Sequence, residues 1–438
     1  MKKNKSGFTL IELLAVIVIL AVILVIAIPR ILNVIEESKK DSIKSSARMI
    51  INSAEKKNMI DKVNGSTEEV TCDNSVKLSK EDYESCKITI DEEGKATINL
   101  VGKGKFDGYK CIGTNDNLAC GQVESITLPL NGKEYIEKLY NNELSRIENG
   151  LKKDNTEDQN IRYYGSDPNN YVSFNNELWR IIGVFGSNVK LVRSEKLGNL
   201  SWDSSANNVN YGSGINQWGE STHEDGSYYE GADLQVYLNK MYYGGDTTVT
   251  CYGDSGNKTT TCPTNTLDET SKSLIDNYTW NVGAIEEEDT RTDTLAFYNA
   301  ERGIINGKVC SYSMYCTDTV TRTTIWTGYI GLPYVTDWAY ASENSICETN
   351  MQTKDSSNAF ICKSNNWMHN SGDTRYISPR ANFTDATPTY FVSSDGYVWG
   401  RNASSAISVF PTLYLKSNVL IESGNGTSDS PYILKAGA

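Results

Sequence analysis

The sequence predicts an α+β protein, in which a long N-terminal transmembrane helix packs on a small antiparallel sheet and a larger β-rich α+β domain follows. Three observations favour this class. An apolar run from Phe8 to Ile28 contains a single charged residue. Short segments with alternating apolar and polar residues come next, which is the pattern of half-buried strands. From Ile161 onward the chain is polar, rich in Asn, Gly, Ser, Thr and Tyr, and repeatedly interrupted by turn residues.

The apolar run is long enough to cross a bilayer as a helix. Twenty-one helical residues at about 1.5 Å each reach roughly 31 Å, the thickness of the hydrocarbon core. Leu, Ile, Val and Phe side chains dominate the run and favour insertion by roughly 5 to 9 kcal/mol, whereas Glu12 costs at most about 3 kcal/mol. The run is longer than a secretory signal and no cleavage site follows it, so we expect it to be retained. The sequence therefore predicts one membrane span over residues 8–28, with the basic segment before it in the cytoplasm.

The helix is predicted to continue beyond the span to about Met59. Apolar residues there recur at helical spacing and form a stripe on one face, which predicts that this half of the helix carries a folded head. A turn-forming segment at 63–66 ends the pattern. The stripe consists of Ile43, Ala47, Ile50, Ile51 and Ala54.

Four short strands are predicted for the head, at 87–91, 96–101, 109–112 and 118–123, and a second helix is predicted from 136 to 151. The charged stretch 152–160 contains no apolar residue, and we interpret it as a joint. The predicted organisation is a leader at 1–7, a helix-and-sheet domain at 8–130, a helical linker and polar joint at 131–160, and a distal extracellular domain at 161–438.

The distal domain is predicted to open with a three-stranded meander and to close with further strands. Tight Asn and Gly turns separate the first three segments, as expected for hairpins. One helix is predicted near 232–241. The predicted strands are 171–174, 177–185, 189–193, 389–392, 397–399 and 409–415.

The ten cysteines fall as five pairs of near neighbours. The even count outside the predicted span, without a C-x-x-C motif, favours disulfides over zinc. Loops of about 15 residues gain up to roughly 3 kcal/mol from closure. We expect each cysteine to pair with its neighbour, although spacing alone leaves the connectivity open. The expected pairs are Cys72–Cys86, Cys111–Cys120, Cys251–Cys262, Cys310–Cys316 and Cys347–Cys362.

The N-terminal residues Lys5-Ser6-Gly7, followed by Phe8-Thr9-Leu10-Ile11-Glu12-Leu13, resemble the processing site of type IV prepilins and the related pseudopilins. The resemblance implies cleavage after Gly7 by prepilin peptidase and N-methylation of Phe8. It also implies that Glu12 pairs with the N-terminal ammonium of a neighbouring subunit, that Pro29 is the helix-kinking proline of the family, and that the helix and small sheet form a pilin-like head. The competing interpretations are a Glu12 that is tolerated near the membrane surface and a Pro29 that breaks the helix just beyond it.

The distal domain resembles an uncharacterised bacterial surface module in two short segments, 178–182 and 410–413. We associate that module with a C-type-lectin-like fold similar to formylglycine-generating enzymes. The resemblance carries no information about activity. The many Trp residues of this domain invite a sugar-binding interpretation because aromatic rings stack on sugars, but we expect most of them to fill the core. They include Trp202, Trp218, Trp280, Trp326, Trp338, Trp367 and Trp399.

Candidate catalytic and metal-binding residues are few. His223 and His369 are the two histidines of the chain, and the segment at His223 lacks the second histidine of H-E-x-x-H. Oxygen-rich turns at 253–257 and 424–429 lack the spacing of a calcium-binding EF-hand. No Ser or Cys has an identifiable base beside it. We therefore expect no enzyme activity, no metal and no cofactor.

We expect a structural and adhesive role, as a minor or tip subunit of a type IV pilus, because a large extra domain on every subunit would crowd a fibre. The expected partners are prepilin peptidase, other pilin subunits, the membrane, and a surface glycan or host protein. The subunit would cross the cytoplasmic membrane once before assembly and then lie at the cell surface with its C-terminal domain outside. The alternatives are a pseudopilin of a type II secretion-like or competence (DNA-uptake) machine, and a surface enzyme tethered by the helix. A net charge of −13 argues against nucleic-acid binding.

Overall fold

The computed structural model of the 438-residue chain describes residues 10–76, 79, 81–91, 93–123, 125–204, 218–222, 228–257, 262–283, 294–305, 308–309, 324–349, 361–369, 375–381 and 388–437. The chain forms two compact units. Unit 1 is Met1–Ser125 with Glu143–Ile147, and unit 2 is Ile126–Asn142 with Glu148–Ala438.

Unit 1 is one long helix and a four-stranded antiparallel sheet. The sheet has the order β1-β2-β3-β4, so each strand pairs with its neighbour in sequence. Side chains of β2 alternate between buried and less buried positions, as the period of two of a strand requires. The elements are α1 (Leu10–Asn64), α2 (Cys72–Ser75), β1 (Tyr83–Ile90), β2 (Ala96–Gly102), β3 (Tyr109–Gly113) and β4 (Ala119–Gln122).

The C-terminal half of α1 forms the core of unit 1 together with the sheet. All five residues of the predicted apolar stripe, from Ile43 to Ala54, are fully buried. They pack in one cluster with inward-facing sheet residues that include Ile98 and Leu100. The stripe and all four predicted strands are thus confirmed, and the helix extends five residues beyond the predicted end, to Asn64. Gly65, in the left-handed region with φ +69°, follows it.

The helices α3 to α9 follow in the chain. A π-helical turn at Tyr237–Tyr243 continues α5, so the predicted helix near 232–241 is confirmed. The helices are α3 (Gly132–Asn141), α4 (Glu143–Glu148), α5 (Asp233–Val236), α6 (Glu269–Leu274), α7 (Thr294–Glu301), α8 (Val335–Tyr340) and α9 (Ile346–Thr349).

Unit 2 contains a ten-stranded and a five-stranded sheet, with three two-stranded pairs, in the described part of the chain. Its strands are β5 (Leu130–Asn131), β6 (Leu151–Lys153), β7 (Ile161–Tyr163), β8 (Tyr171–Phe174), β9 (Glu177–Phe185), β10 (Asn188–Arg193), β11 (Gly198–Leu200), β12 (Ser221–Thr222), β13 (Tyr228–Tyr229), β14 (Tyr278–Asn281), β15 (Ile304–Ile305), β16 (Lys308–Val309), β17 (Ile325–Gly328), β18 (Ile330–Gly331), β19 (Arg375–Ala381), β20 (Pro388–Val392), β21 (Val398–Asn402), β22 (Ile407–Val409), β23 (Thr412–Tyr414), β24 (Leu420–Ser423) and β25 (Tyr432–Lys435).

The predicted meander is the centre of the large sheet. β8, β9 and β10 pair antiparallel in sequence order, and the main order is β18-β23-β10-β9-β8-β25-β24-β5. β9 and β10 are buried over almost their whole length, including the polar residues Arg180, Asn188 and Lys190. The smaller sheet has the order β11-β22-β19-β20-β21. The predicted strand at 409–415 is divided between β22, in the smaller sheet, and β23, in the larger one.

The tryptophans of unit 2 fill its core. Six of the seven named in the sequence are at most 7% exposed: Trp202, Trp218, Trp280, Trp326, Trp338 and Trp367. They belong to one hydrophobic cluster, so the core interpretation is confirmed for these six. The side chain of Trp399 lies outside the described part.

The prediction of a second helix from 136 to 151 is wrong over its C-terminal part. Asn142 has extended backbone angles at the end of α3, and α4 begins anew at Glu143. Gly150 has φ +63°, and a Cβ there would lie 2.4 Å from the carbonyl oxygen of Tyr164. This position therefore requires glycine, which ends the helical spacing and directs Leu151 into β6.

The charged stretch 152–160 lies inside unit 2, whereas the sequence predicted a joint at a domain boundary. β6 pairs antiparallel with β7, and Asp154 and Asn160 between them are 3% and 5% exposed. Lys152 donates a 2.6 Å ion-paired hydrogen bond to Glu348. These polar groups have partners within the unit, so the absence of apolar residues does not mark a boundary here. Unit 2 begins near residue 126.

Four of the five predicted disulfides are present in the described residues. Cys72–Cys86 joins α2 to β1, and Cys111–Cys120 joins β3 to β4. Cys251–Cys262 and Cys347–Cys362 close loops of unit 2. The fifth predicted pair, Cys310 and Cys316, lies outside the described residues.

Candidate functional site

The N-terminal half of α1 exposes its apolar side chains. Fifteen large hydrophobic residues between Leu10 and Ile35 are each between 45% and 85% exposed. Leu10 is the most exposed of them, and Ile17, in the middle of the run, is 54% exposed. We call residues 10–35 the apolar arm. Soluble monomers rarely expose a continuous apolar surface of this size, so the arm has the character of an interaction surface.

Two of the four predicted processing and assembly residues lie in the apolar arm. Gly7 and Phe8 lie outside the described residues. Glu12 and Pro29 lie within α1, which is assigned as one continuous helix through both positions. Over the described residues, no helix was found to be long and apolar enough for a membrane span. The span predicted at 8–28 therefore stays a prediction.

Unit 2 holds a buried charge cluster that the sequence did not predict. We use this name for Asp154, Arg162, Lys190, Glu301 and Asp337, each at most 3% exposed. Asp337 is at its centre. One carboxylate oxygen accepts a hydrogen bond from Nη1 of Arg162 at 2.8 Å, and the other accepts one from Nζ of Lys190 at 2.5 Å. Arg162 also donates from Nε to Asp154 at 2.6 Å.

Aromatic rings enclose the ammonium group of this cluster. Nζ of Lys190 lies 3.9 Å from the ring centroid of Tyr334 and 5.3 Å from those of Phe185 and Tyr414. A cation over an aromatic face is attracted by the ring quadrupole, and this attraction is stronger without water. The rings therefore compensate part of the lost hydration of Lys190.

Burial sets the protonation of the cluster. It lowers the pKa of Lys190 to about 8 and raises the pKa of Glu301 to about 7. Burial would also raise the pKa of Asp337, but Lys190 and Arg162 outweigh it and lower the pKa of that carboxyl. Glu301 accepts a 3.0 Å hydrogen bond from the Thr336 hydroxyl. Since these groups are closed off from solvent, we assign the cluster to the stability of unit 2.

A polar pocket of about 190 Å³ lies against the meander of unit 2. Tyr171, Arg180 and Val192 stand directly opposite one another on β8, β9 and β10, so the strand register forms its floor. We call it the Arg180 pocket. Other residues that line it are Arg193, Ser194, Glu195 and Trp367.

Neighbouring rings and carbonyl groups hold Arg180 in place. Its guanidinium carbon lies 3.9 Å from the ring centroid of Tyr171 and 4.8 Å from that of Trp367. Nε donates to Asn170, and Nη2 donates to Asp167 and to the carbonyl oxygen of Pro168. None of these hydrogen bonds uses Nη1. Burial lowers the pKa of Arg180, and Asp167, its partner carboxylate, is 65% exposed.

Ser194, one of the residues that line the pocket, has an unpaired hydroxyl. Its Oγ is buried, and no hydrogen-bond partner for it exists among the described residues. Most buried polar atoms in proteins are paired, because an unpaired one has lost its hydrogen bonds to water. The pocket thus combines a fixed cation, an unpaired hydroxyl and, at Glu195, an exposed carboxylate.

The remaining candidates form no site in the described residues. His223 lies outside them, and the ring of His369 is 3.2 Å from the carbonyl oxygen of Ser394. In the loop 253–257, Asp254 accepts a hydrogen bond from the amide of Ala406. In the loop 424–429, Asn425 accepts from Thr427. Over the described part, no group of three or more His, Cys, Asp or Glu side chains is arranged for a metal ion.

Sequence reasoning missed both the charge cluster and the Arg180 pocket, although a signal was present. Arg180 and Lys190 are charged residues with apolar neighbours on both sides in β9 and β10, and Asp337 is next to Trp338 in α8. A charge within a buried run requires a partner. Its identity depends on strand pairing, which short-range patterns do not specify.

Comparison with known proteins identifies one segment. Residues 2–28 match the family described as the prokaryotic N-terminal methylation motif. This stretch contains Gly7, Phe8, Glu12 and the apolar run, so the chain carries a type IV pilin-like prepilin segment. The motif implies processing by prepilin peptidase and assembly with other pilins. No curated protein and no solved structure matches the chain significantly.

Proposed function

We propose that this chain is a minor or tip subunit of a type IV pilus, assembled through its N-terminal helix and displaying unit 2 for adhesion. The observation that carries the proposal is the apolar arm, whose exposed side chains do not pack against another part of the described chain. A surface of this kind needs lipid or other apolar helices around it. The methylation motif at residues 2–28 supports the same assignment.

The arm would have two successive environments. Before assembly it lies in the cytoplasmic membrane, where residues 8–28 match the thickness of the hydrocarbon core. Prepilin peptidase cleaves after Gly7, and the new terminus at Phe8 is methylated. In the fibre, Glu12 then pairs with the N-terminal ammonium of a neighbouring subunit, since a carboxylate in an apolar surrounding requires a counter-charge.

Unit 2 would be the displayed part. It comprises most of the chain, from Ile126 onward, so its presence on every subunit would crowd the fibre. This size supports a minor or tip position. The proposed role is binding and structure rather than catalysis, with a surface glycan or a host protein as the ligand.

The alternative is a pseudopilin of a secretion-like or DNA-uptake machine, because the same N-terminal motif serves both groups. Antibody against unit 2, applied to sheared surface fibres under the electron microscope, tests the proposal. We expect sparse or terminal labelling, and none on fibres of a Glu12→Ala strain. Uniform labelling along the fibre would overturn the minor-subunit claim. Antigen confined to the cell envelope, with unlabelled fibres, would favour the pseudopilin.

A further inference from the structure

We infer that the Arg180 pocket binds one neutral sugar ring of a polysaccharide. The inference rests on the proposed display of unit 2 and specifies its ligand class. Three properties of the pocket carry it: its volume, its unpaired polar groups and its local charge.

The volume suits a single sugar ring. The pocket has a volume of about 190 Å³, which is room for several waters, since one water needs at least about 10–15 Å³ of such space. Sites for drug-sized ligands are larger, at about 300–1,000 Å³. A ring with its hydroxyls would fill the space, and the rest of a polysaccharide would remain outside it.

The polar groups of the pocket match sugar hydroxyls. Oγ of Ser194 is buried without a partner in the described chain, and rotation about its Cα–Cβ bond would present it to a ligand hydroxyl. Nη1 of Arg180 is outside the hydrogen bonds that hold the guanidinium, so it can donate to a second hydroxyl. The carboxylate of Glu195 can accept from a third. A sugar hydroxyl donates as well as accepts, so one ring can satisfy all three groups.

The local charge selects a neutral ring over an acidic one. The two positive charges of Arg180 and Arg193 are outnumbered by three carboxylates, those of Asp167, Glu177 and Glu195. Nε and Nη2 of Arg193 are bound by Glu177, at 2.8 and 3.1 Å, and its Nη1 by two backbone carbonyls. A carboxylated sugar would therefore bring a fourth negative charge and find no free second arginine.

The pocket is preorganised. Its floor is three hydrogen-bonded strands, and Arg180 is held between the rings of Tyr171 and Trp367. Nε1 of Trp367 donates to the carbonyl oxygen of Tyr163 at 2.9 Å, which fixes that ring. Little ordering is therefore required on binding.

Saturation-transfer NMR and calorimetry on the purified full chain in detergent test the inference, with glucose, galactose, mannose, N-acetylglucosamine and glucuronate as probes. We expect saturable binding of at least one neutral sugar. Ser194→Ala should weaken it roughly three- to tenfold, the effect of one lost hydrogen bond, with an unchanged or slightly raised melting temperature. Ser201→Ala is the matched control: its hydroxyl is also buried and unpaired among the described residues, but it lies outside the pocket. This control should bind like the wild type.

Glu195→Gln separates the two kinds of sugar. A neutral ligand should bind the variant with equal or lower affinity, whereas an acidic ligand would bind it more tightly. Glucuronate as the preferred ligand, or no binding of any neutral sugar, would overturn the inference. Adherence of cells that carry the chain is measured in parallel. Cells that adhere through unit 2 while the sugars fail to bind would retain the proposed function and refute only the pocket.

Discussion

In the apolar arm, large hydrophobic side chains lie outside without a partner in the described chain, whereas in the charge cluster of unit 2, charged side chains lie inside with partners around them. Ile17 is 54% exposed, and Asp337 is 1% exposed. The hydrophobicity of a side chain alone would predict the reverse. The two regions differ in where their partners come from: the cluster is complete within the chain, and the arm is not.

The same contrast exists within α1. Ile17 and Ile50 are the same residue type on one helix, and the second is fully buried against the sheet of unit 1. The C-terminal half of the helix is thus buried against the sheet of unit 1, whereas the N-terminal half requires contacts with other molecules. Four predictions test this comparison, in order of decreasing effect.

The largest effect is expected from removal of the buried charged stretch. A fragment of residues 126–438 should fold, whereas 161–438 should not, because it lacks α3, β6 and Asp154, a partner of Arg162. Ile136 and Leu151, both nearly fully buried, are lost as well. All eight tryptophans are present in both fragments, so fluorescence during thermal unfolding compares them directly. Equal melting temperatures would show that the stretch is a joint after all.

A single change at the centre of the charge cluster should cost about 3–5 kcal/mol of stability. Asp337→Ala leaves Lys190 buried without a carboxylate and removes one of the two carboxylates of Arg162. Urea unfolding followed by tryptophan fluorescence measures the loss. The control is Glu422→Ala, whose ion pair with Lys435 is about half exposed and should contribute no more than about 1 kcal/mol. Similar losses for the two variants would refute the assigned role of the cluster.

Matched isoleucines should separate the halves of α1. Ile50→Ala removes a fully buried side chain and should cost unit 1 about 2–5 kcal/mol. Ile17→Ala should change its stability by less than about 0.5 kcal/mol. Hydrogen exchange of peptides from β2, read by mass spectrometry, reports unit 1 selectively. Faster exchange in the Ile17→Ala variant would mean that the arm packs on the head.

The smallest effect concerns pH. The pKa of Glu301 is raised by burial from an ordinary value of 4.5 to about 7, so the folded protein keeps a proton that the unfolded chain releases. Stability should therefore fall as pH rises from about 4.5 to about 7. Glu301→Gln should remove most of this decline. Parallel pH profiles for the variant and the wild type would contradict it.

Local sequence patterns were sufficient to predict the helix and strands of unit 1 and the central strands of unit 2. The stripe from Ile43 to Ala54 lies on a helix that packs on a sheet of sequential neighbours, so periodicity alone describes it. The meander β8–β9–β10 is local in the same sense. Near-neighbour spacing likewise predicted the four disulfides of the described chain.

The remaining features depend on contacts between residues that are distant in sequence. Lys190 meets Asp337 across 147 positions, and β8 pairs in parallel with β25 near the end of the chain. A one-dimensional pattern does not specify such partners. The charged stretch 152–160 was misplaced for this reason, since its polarity was visible and Glu348, the partner of Lys152, lies 196 positions further along the chain.

Substitutions in the N-terminal segment should separate processing of the chain from its assembly into fibres. Gly7→Val should leave an unprocessed precursor, because a branched side chain obstructs the peptidase. Glu12→Ala should be processed normally and yet be absent from fibres, since a neighbour's ammonium then lacks a counter-charge in an apolar surrounding. Immunoblots of the membrane and sheared-fibre fractions distinguish the two steps. Normal incorporation of the Glu12→Ala protein would contradict the role of that carboxylate.

The apolar arm is proposed to be covered by other subunits in a fibre. Mass spectrometry of the N-terminal peptide in sheared surface fibres tests it most directly. We expect a peptide that begins with N-methylated Phe8 in the fibre fraction. A chain found there with Met1 to Gly7 still attached, or a mature chain that never leaves the membrane fraction, would contradict it.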